Sequence, residues 1–577
     1  MSRSLPYSAN PLLRIKLPAI RSRVVMMLIA LAFLALIGRA IWLQLFTNDF
    51  LQRQGESRYG RTMELPASRG KILDRNGMVL ASSLPARAVC ATPEEVKASP
   101  EQFAELARLL QMSTAEIHQR LGAEGKTFVY LKRQVEADVA EKIRALGIPG
   151  LHQRPEYKRF YPEGEALAHV VGFTNVEDIG QEGMELARQK ELAGRPGSRR
   201  VLRDNLHRVF EDVGTLREPL DGRDLQLSID AKIQFHAVSA LRDALREHRA
   251  RAGAAVVLDA RTGEVLALAN LPTYNPNERG QLSGAQLRNR VITDTFEPGS
   301  TMKPFTSALA IESGRYAPHT VIQTAPGRMT IGSATIGDSH PHGALTVEEV
   351  LQKSSNVGTA KIALSFPPET MWNMLTAVGF GQPPELGFPG AVAGRVMPPR
   401  SWRPINQATI SYGHGISVSL IQLARAYTVF ARDGDMVPLS MLRLSEPAAG
   451  VKVMEPATAQ AVRRMLEMAA GPGGTAPKAQ IPGYRVAGKT GTAHKLEGGR
   501  YVNKYIASFV GFAPVSDPRI VVAVMVDEPS AGRHYGGEVA APVFAQITGD
   551  VMRTLRITPD SPQVRQVIPA DPVKETQ

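Results

Sequence analysis

Cysteine is nearly absent from this sequence, with Cys90 the single example in 577 residues. That scarcity excludes an internal disulfide framework and any multi-cysteine metal site. Cys90 sits in the apolar run RAVCA and is expected to be a small core residue. Acidic residues are missing from the start of the chain: Arg3, Arg14, Lys16, Arg21 and Arg23 all precede the first one, Asp49. Beyond that tail, the excess that makes the formal charge +13 is spread along the chain. No basic helix, aromatic stacking platform or finger spacing accompanies it, so nucleic acid is excluded as a partner. Low-complexity tracts and internal repeats are lacking too. Charged residues at 21%, with 50 Gly and 41 Pro, describe folded material rich in turns.

What is present begins with VVMMLIALAFLALIG, Val24 to Gly38, continuing past Arg39 as AIWLQLF to Phe46. A helix needs about 20 residues to cross the hydrocarbon core, so residues 24–46 form a transmembrane helix that must accommodate Arg39. Arg39 lies in the last third of the run and can snorkel to the outer interface. The basic flank (1–23) is held in the cytoplasm by the positive-inside rule, and everything after Phe46 is exported. Gly38-Arg39-Ala40 resembles a signal-peptidase site, but the apolar stretch continues beyond it, which favours a retained anchor in the inner membrane.

At this length more than one hydrophobic core is needed. From 47 to 251 the pattern is mixed, with short strand-like pieces and a helical stretch at Glu101 to Gln111. At Ala252 it changes to AGAAVVLDARTGEVLALAN, two apolar runs around a turn at Asp259 to Gly263, which reads as a β-hairpin opening a domain over 252–557. Helical patterns follow from Met302 to about Phe430. Strands return at Tyr505 to Pro514 and Arg519 to Pro529, and Val543 to Leu555 has helical spacing. The fold class is therefore α+β, with terminal strands sharing one antiparallel sheet flanked by helices. Residues 558–577 read as a disordered tail.

Three motifs fall in order inside the second domain: STMK at Ser300 to Lys303, SSN at Ser354 to Asn356, and KTGT at Lys489 to Thr492. Each is weak alone, since Ser68 to Lys71 repeats the first pattern and Ser8 to Asn10 the second. The ordered set confined to one domain carries the weight. If a helix starts near Ser300, at Pro298-Gly299, then Ser300 and Lys303 share a face and the amine can reach the hydroxyl. Pro304 falls in the first turn or so, where a missing N–H costs least. A serine hydroxyl needs a base, and a lysine serves only if burial and neighbouring charge lower its pKa.

Three other patterns compete. Gly483, Gly488, Lys489 and Thr490 match a phosphate-binding loop, which requires a strand before and a helix after it. IPGYR and GTAHKLEGG supply neither. His340 and His342 lie in a Pro/Gly loop without a third ligand, so no metal is expected. Glu369 and Asn373 match the E-x-x-x-N string of class A β-lactamases, but follow Asn356 too closely for that segment.

On these motifs the chain resembles the serine acyl-transferases that include penicillin-binding proteins and serine β-lactamases. RGKILDRNG (69–77), RFYPEGEALAHVVGF (159–173), GQEGMEL (180–186), LSIDAKIQ (227–234) and FEPGSTMKPF (296–305) narrow the resemblance to class B penicillin-binding proteins of the FtsI type. No segment resembling a glycosyltransferase motif is present. The resemblance implies a noncatalytic pedestal over 47–251 and a transpeptidase domain over 252–557. Ser300 would be the acylated nucleophile and Lys303 its base. Ser354 would relay a proton, and Asn356 would bind substrate backbone or orient Lys303. Lys489 would add positive charge on a strand edging the cleft. Thr490, Gly491 and Thr492 would bind substrate, with the two threonines on its terminal carboxylate, and the backbone N–H groups of Ser300 and Thr492 would form an oxyanion hole.

The implied reaction is D,D-transpeptidation of peptidoglycan stem peptides, pentapeptide donor to amine acceptor, in septal wall synthesis. It needs no cofactor, and β-lactams would acylate the same serine. A SEDS-family glycosyltransferase and other division proteins are the implied partners of anchor and pedestal. A D,D-carboxypeptidase, a β-lactamase and an inert division scaffold are the alternatives.

Overall fold

The computed structural model describes residues 19–45, 60–122, 126–203, 209–280 and 282–561. Most of the basic tail, Phe46 and most of the C-terminal tail lie outside the described residues. The chain divides into two compact units, one of residues 1–67 and 195–220, the other of 68–194 and 221–577.

The first unit contains helix α1, Ala19–Leu45, whose 27 residues rise about 40 Å, enough to cross a bilayer. Its apolar side chains from Val24 to Trp42 are exposed, the state of a surface that meets lipid. Arg39 is six residues from the helix end, about 9 Å along the axis and within snorkelling reach. Gly60–Leu65, Gly197–Arg203 and Val209–Arg217 form a three-stranded antiparallel sheet in that order.

In the second unit, Val79–Ala91 pairs antiparallel with Val129–Glu136 and with Leu151–Phe160. Ile72–Leu73 joins the same strand and pairs in parallel with Leu225–Gln226. Pro100–Leu110 and Thr114–Leu121 are helices entered through capping boxes, Ser99 with Gln102 and Ser113 with Glu116. Cys90 is buried on this sheet, and burial pushes its thiol up to about 11.

Three of the segments that carry the family resemblance, 69–77, 159–173 and 180–186, meet here. Glu185, fully buried, accepts from Arg69 Nε at 2.5 Å and from Arg159 Nε at 2.7 Å. The terminal guanidinium N–H groups go to carbonyls of Glu185, Asp178, Arg69 and Gly70 and to the Ser83 hydroxyl.

The catalytic sheet consists of β1 (Ala252–Asp259), β2 (Val265–Leu271), β3 (Ala487–Glu497), β4 (Arg500–Ala513) and β5 (Ile520–Asp527). Their order is β2-β1-β5-β4-β3, all antiparallel, so both ends of the sequence domain share one sheet and β3 is an edge. Asp259 closes the hairpin turn by accepting from Arg261 N and Thr262 N.

Helices cover both faces, which is why β1, β2 and β5 read as nearly unbroken apolar runs. Ala255, Val257, Val522 and Val524 face α2 (Ala231–Glu247) and the C-terminal helix, which spans Gly536–Thr554. Ala254, Val256, Val521 and Ala523 face the core that holds helix α3 (Lys303–Glu312) and helix α5 (Leu420–Ala431). Between those two in sequence lies α4, Asn356–Leu364. The C-terminal helix is α6. α2 lies upstream of 252, where the composition changes, yet Ile233, Ala237 and Leu241 belong to the catalytic sheet's core. Asp230 caps it, accepting from Lys232 N and Ile233 N.

Candidate active site

Ser300 sits on a 3₁₀ turn, Gly299–Met302, that runs directly into α3. Pro304 occupies the first turn of α3, as its sequence position requires. Gly299 adopts φ +58°, and a Cβ there would lie 3.1 Å from the Thr492 carbonyl oxygen. Its N–H donates to Gly413 O at 3.2 Å, so the turn that carries Ser300 is gripped between residues 413 and 492. Below it, Phe305 packs edge-on against Phe380 and Tyr427, with ring centroids 5.4 and 5.7 Å away. Tyr427 also donates its hydroxyl to Thr301 O at 2.8 Å.

Lys303 is completely buried. Its Nζ donates to Asn356 Oδ1 at 2.8 Å, to Ser354 Oγ at 3.0 Å and to the Ser354 carbonyl. Ser354 holds a left-handed φ of +60°, which turns its carbonyl and hydroxyl onto the same amine. The Asn356 amide is oriented by its own Nδ2 donating to Gly337 O at 2.9 Å. Ser355 caps α4, accepting from Gly358 N and donating to Asp338 Oδ2 at 2.7 Å, while Asp338 Oδ1 accepts from Val357 N. Asp338 thus fixes the SSN turn, a role that no motif announced.

Lys489, Thr490, Gly491 and Thr492 lie in register on β3, opposite Val510, Phe509, Ser508 and Ala507. Lys489 is buried, its Nζ 3.2 Å from Thr490 Oγ1 and 3.4 Å from Thr475 Oγ1. Thr490 is buried as well, 3.0 Å from Thr475. Thr492 is partly exposed and its Oγ1 accepts from Gly536 N, leaving its O–H to donate elsewhere. Gly491 has no room for a side chain, since a Cβ would meet Ser508 Oγ at 2.4 Å and Pro298 O at 2.7 Å.

Burial lowers the Lys303 pKa well below the lysine range, and the nearby Lys489 charge lowers it further against the pull of Asp338. Burial brings Lys489 down to about 7. A neutral Lys303 has two N–H groups and one lone pair. Asn356 Oδ1 and Ser354 O can only accept, so they take the two N–H groups and leave the lone pair for a hydroxyl proton. The hydroxyl beside that lone pair is Ser354 Oγ, at 3.0 Å, and Ser300 stands one helical turn before Lys303 in the chain.

A penicillin-binding protein transpeptidase domain matches residues 253–549, and a penicillin-binding protein dimerisation domain matches 64–227. The chain belongs to the class B penicillin-binding proteins. It is 43% identical to PenA of Neisseria meningitidis over 93% of both chains. It is 42% identical to FtsI of Escherichia coli over 92% of this chain and 91% of that one. Among solved structures, the transpeptidase domain of penicillin-binding protein 3 from Burkholderia pseudomallei superposes with a TM-score of 0.54 at 51% identity, covering 58% of this chain and 98% of the other.

In this penicillin-binding protein the competing patterns fall elsewhere. Gly488, Lys489 and Thr490 form ladder pairs in mid-strand, and β3 continues to Glu497 where a phosphate loop would give way to a helix. Glu369 and Asn373 are exposed on the helix Pro368–Ala377, and His340 is exposed in the loop after Asp338.

Proposed function

We propose that this penicillin-binding protein cross-links peptidoglycan stem peptides during septum formation, as a serine-type D,D-transpeptidase that β-lactams acylate. The observation that carries the residue assignment is the buried Lys303 amine, held by Ser354 and Asn356 one turn from Ser300. Lys303 takes the Ser300 proton as Oγ attacks the penultimate D-alanine carbonyl, and Ser354 passes that proton to the leaving D-alanine amine. Asn356 keeps Lys303 in place. The backbone N–H groups of Ser300 and Thr492 stabilise the developing oxyanion. In support, the Thr492 nitrogen lies 3.5 Å from where a Gly299 side chain would begin. Thr490 and Thr475 hold Lys489, whose charge attracts the terminal carboxylate, and the Thr492 hydroxyl donates to it. Gly491 lets β3 approach the nucleophile turn closely enough for both contacts. An amine from a second stem then resolves the ester into an amide.

We place α1 as a single inner-membrane span with a cytoplasmic N-terminus, residues 47–251 as a pedestal and 252–557 as the periplasmic enzyme. A SEDS-family glycosyltransferase and other division proteins are the proposed partners of α1 and the pedestal. Ser300→Ala tests the catalytic assignment. Penicillin should add one adduct mass to wild type and none to the variant, and the melting temperature should stay within about 2 °C. A variant that still cross-links peptidoglycan would show that another group is the nucleophile.

A further inference from the structure

Beside the nucleophile turn lies a cleft of about 430 Å³ lined by Thr409, His414, His494, Tyr501, Val502 and Asn503. Its two histidines are the near neighbours of the residues that grip Gly299, since His414 follows Gly413 and His494 is two residues beyond Thr492. The cleft therefore lies near the turn that carries Ser300.

Glu297, three residues before Ser300, is the hub of its wall. Its carboxylate accepts from His414 Nδ1 at 3.0 Å, Gly415 N at 2.8 Å and the Tyr501 hydroxyl at 3.0 Å. Burial opposes its charge, but these donors outweigh burial and hold its carboxyl below the usual range. A carboxylate that only accepts fixes the proton on His414 Nδ1, which leaves Nε2 with its lone pair. His494 Nδ1 is set the same way by the Val502 carbonyl at 3.2 Å.

Resting on the transpeptidase reading above, we propose that this cleft seats the acyl acceptor, a primary amine on the side chain of a second stem peptide, and that His414 Nε2 removes its extra proton. The acceptor arrives as an ammonium, and His414 takes one proton. The freed nitrogen lone pair attacks the ester carbonyl of acyl-Ser300 and forms the C–N bond. As the C–Oγ bond breaks, the surplus proton on nitrogen passes through Lys303 to Ser300 Oγ, leaving an amide and a free serine. His414 then releases its proton to water. Glu297 is a positioning residue in this scheme. The titratable groups facing His414 are Glu297, the Tyr412 ring at 5.5 Å, the Tyr501 ring at 6.3 Å and His494 across the cleft.

The test uses the full-length protein, a D-alanyl thioester as acyl donor and diaminopimelate as the amine probe. Water and amine compete for the acyl-enzyme, so the ratio of amide to hydrolysed acid reports the acceptor step alone. His414→Asn keeps an N–H for Glu297 but removes the base, and should lower that ratio by about a hundredfold. Penicillin acylation of Ser300 is followed in parallel, and its change should be at least about tenfold smaller than the change in that ratio. Val502→Trp fills the cleft and should raise the amine concentration needed for half-maximal aminolysis. An unchanged ratio in both variants would overturn the proposal, and so would a fall in acylation that parallels the fall in aminolysis. Failure of penicillin to acylate the wild type would overturn the transpeptidase reading, and this proposal with it.

Discussion

Arg69, Arg159 and Glu185 are nearly as buried as Lys303 and Lys489, yet the first group pairs its charges and the second does not. In the first, two guanidiniums share one carboxylate and spend their other donors on carbonyls. In the second, two amines lie close enough for one charge to lower the other's pKa, and among the described residues neither forms an ion pair. The nearest relevant carboxylate, Asp338, has its oxygens taken by Ser355 and Val357. Burial with a partner fixes geometry. Burial without one pushes an amine's pKa down, the direction a general base needs.

The largest effect expected from breaking this contrast is at Lys303. Arginine keeps the positive charge but cannot give up its proton at any working pH. Lys303→Arg should slow acylation by penicillin by about 10⁴-fold, measured by stopped-flow or gel-based labelling. Retention of a near wild-type rate would show that charge, not basicity, is what the site needs.

A smaller effect, on stability and not on chemistry, is expected at Glu185. Glu185→Gln leaves two buried guanidiniums without an anion and should destabilise the fold by roughly 3–5 kcal/mol in denaturant titration. Ser300 in whatever remains folded should still be acylated. Loss of acylation without loss of stability would mean that this cluster acts on the active site directly.

The smallest effect separates the two groups by pH. With Lys489 near 7 when folded and in the ordinary lysine range when unfolded, the unfolded chain binds the extra proton between those values. Stability should therefore rise with pH across that window, and Lys489→Met should flatten the rise. Equilibrium unfolding at pH 6, 8 and 10 checks it, and parallel slopes in wild type and variant would contradict it.

The parts of this site that the sequence displays are those with local spacing. Ser300 and Lys303 are one turn apart, and the KTGT run is four consecutive residues of β3, whose neighbour β4 alternates between two cores. Ser354, Asn356 and Lys489 are distant in sequence, and only the family resemblance joined them to Ser300. Asp338, Thr475 and Gly413 stayed hidden because each acts through a turn, a hydroxyl pair or a backbone carbonyl, none of which leaves a periodic signal. Thr490 and Thr492 looked equivalent in the motif. The pleat sets both on the same face of β3, and the Thr475 contact buries Thr490 while Thr492 stays partly exposed. The place of α2 was equally silent, because an amphipathic helix shows that it has a buried face but not which sheet that face meets. The Glu297, His414 and Tyr501 hub joins three segments far apart in the chain.

Nitrogen NMR of lysine-labelled protein measures directly whether Lys303 is a neutral amine in the resting enzyme. Comparison with Lys303→Arg identifies its resonance, and a titration from pH 6 to 10 follows its protonation. The account predicts an amine shift at neutral pH, with protonation seen only well below the ordinary lysine range. An ammonium shift that persists to pH 10 would contradict it.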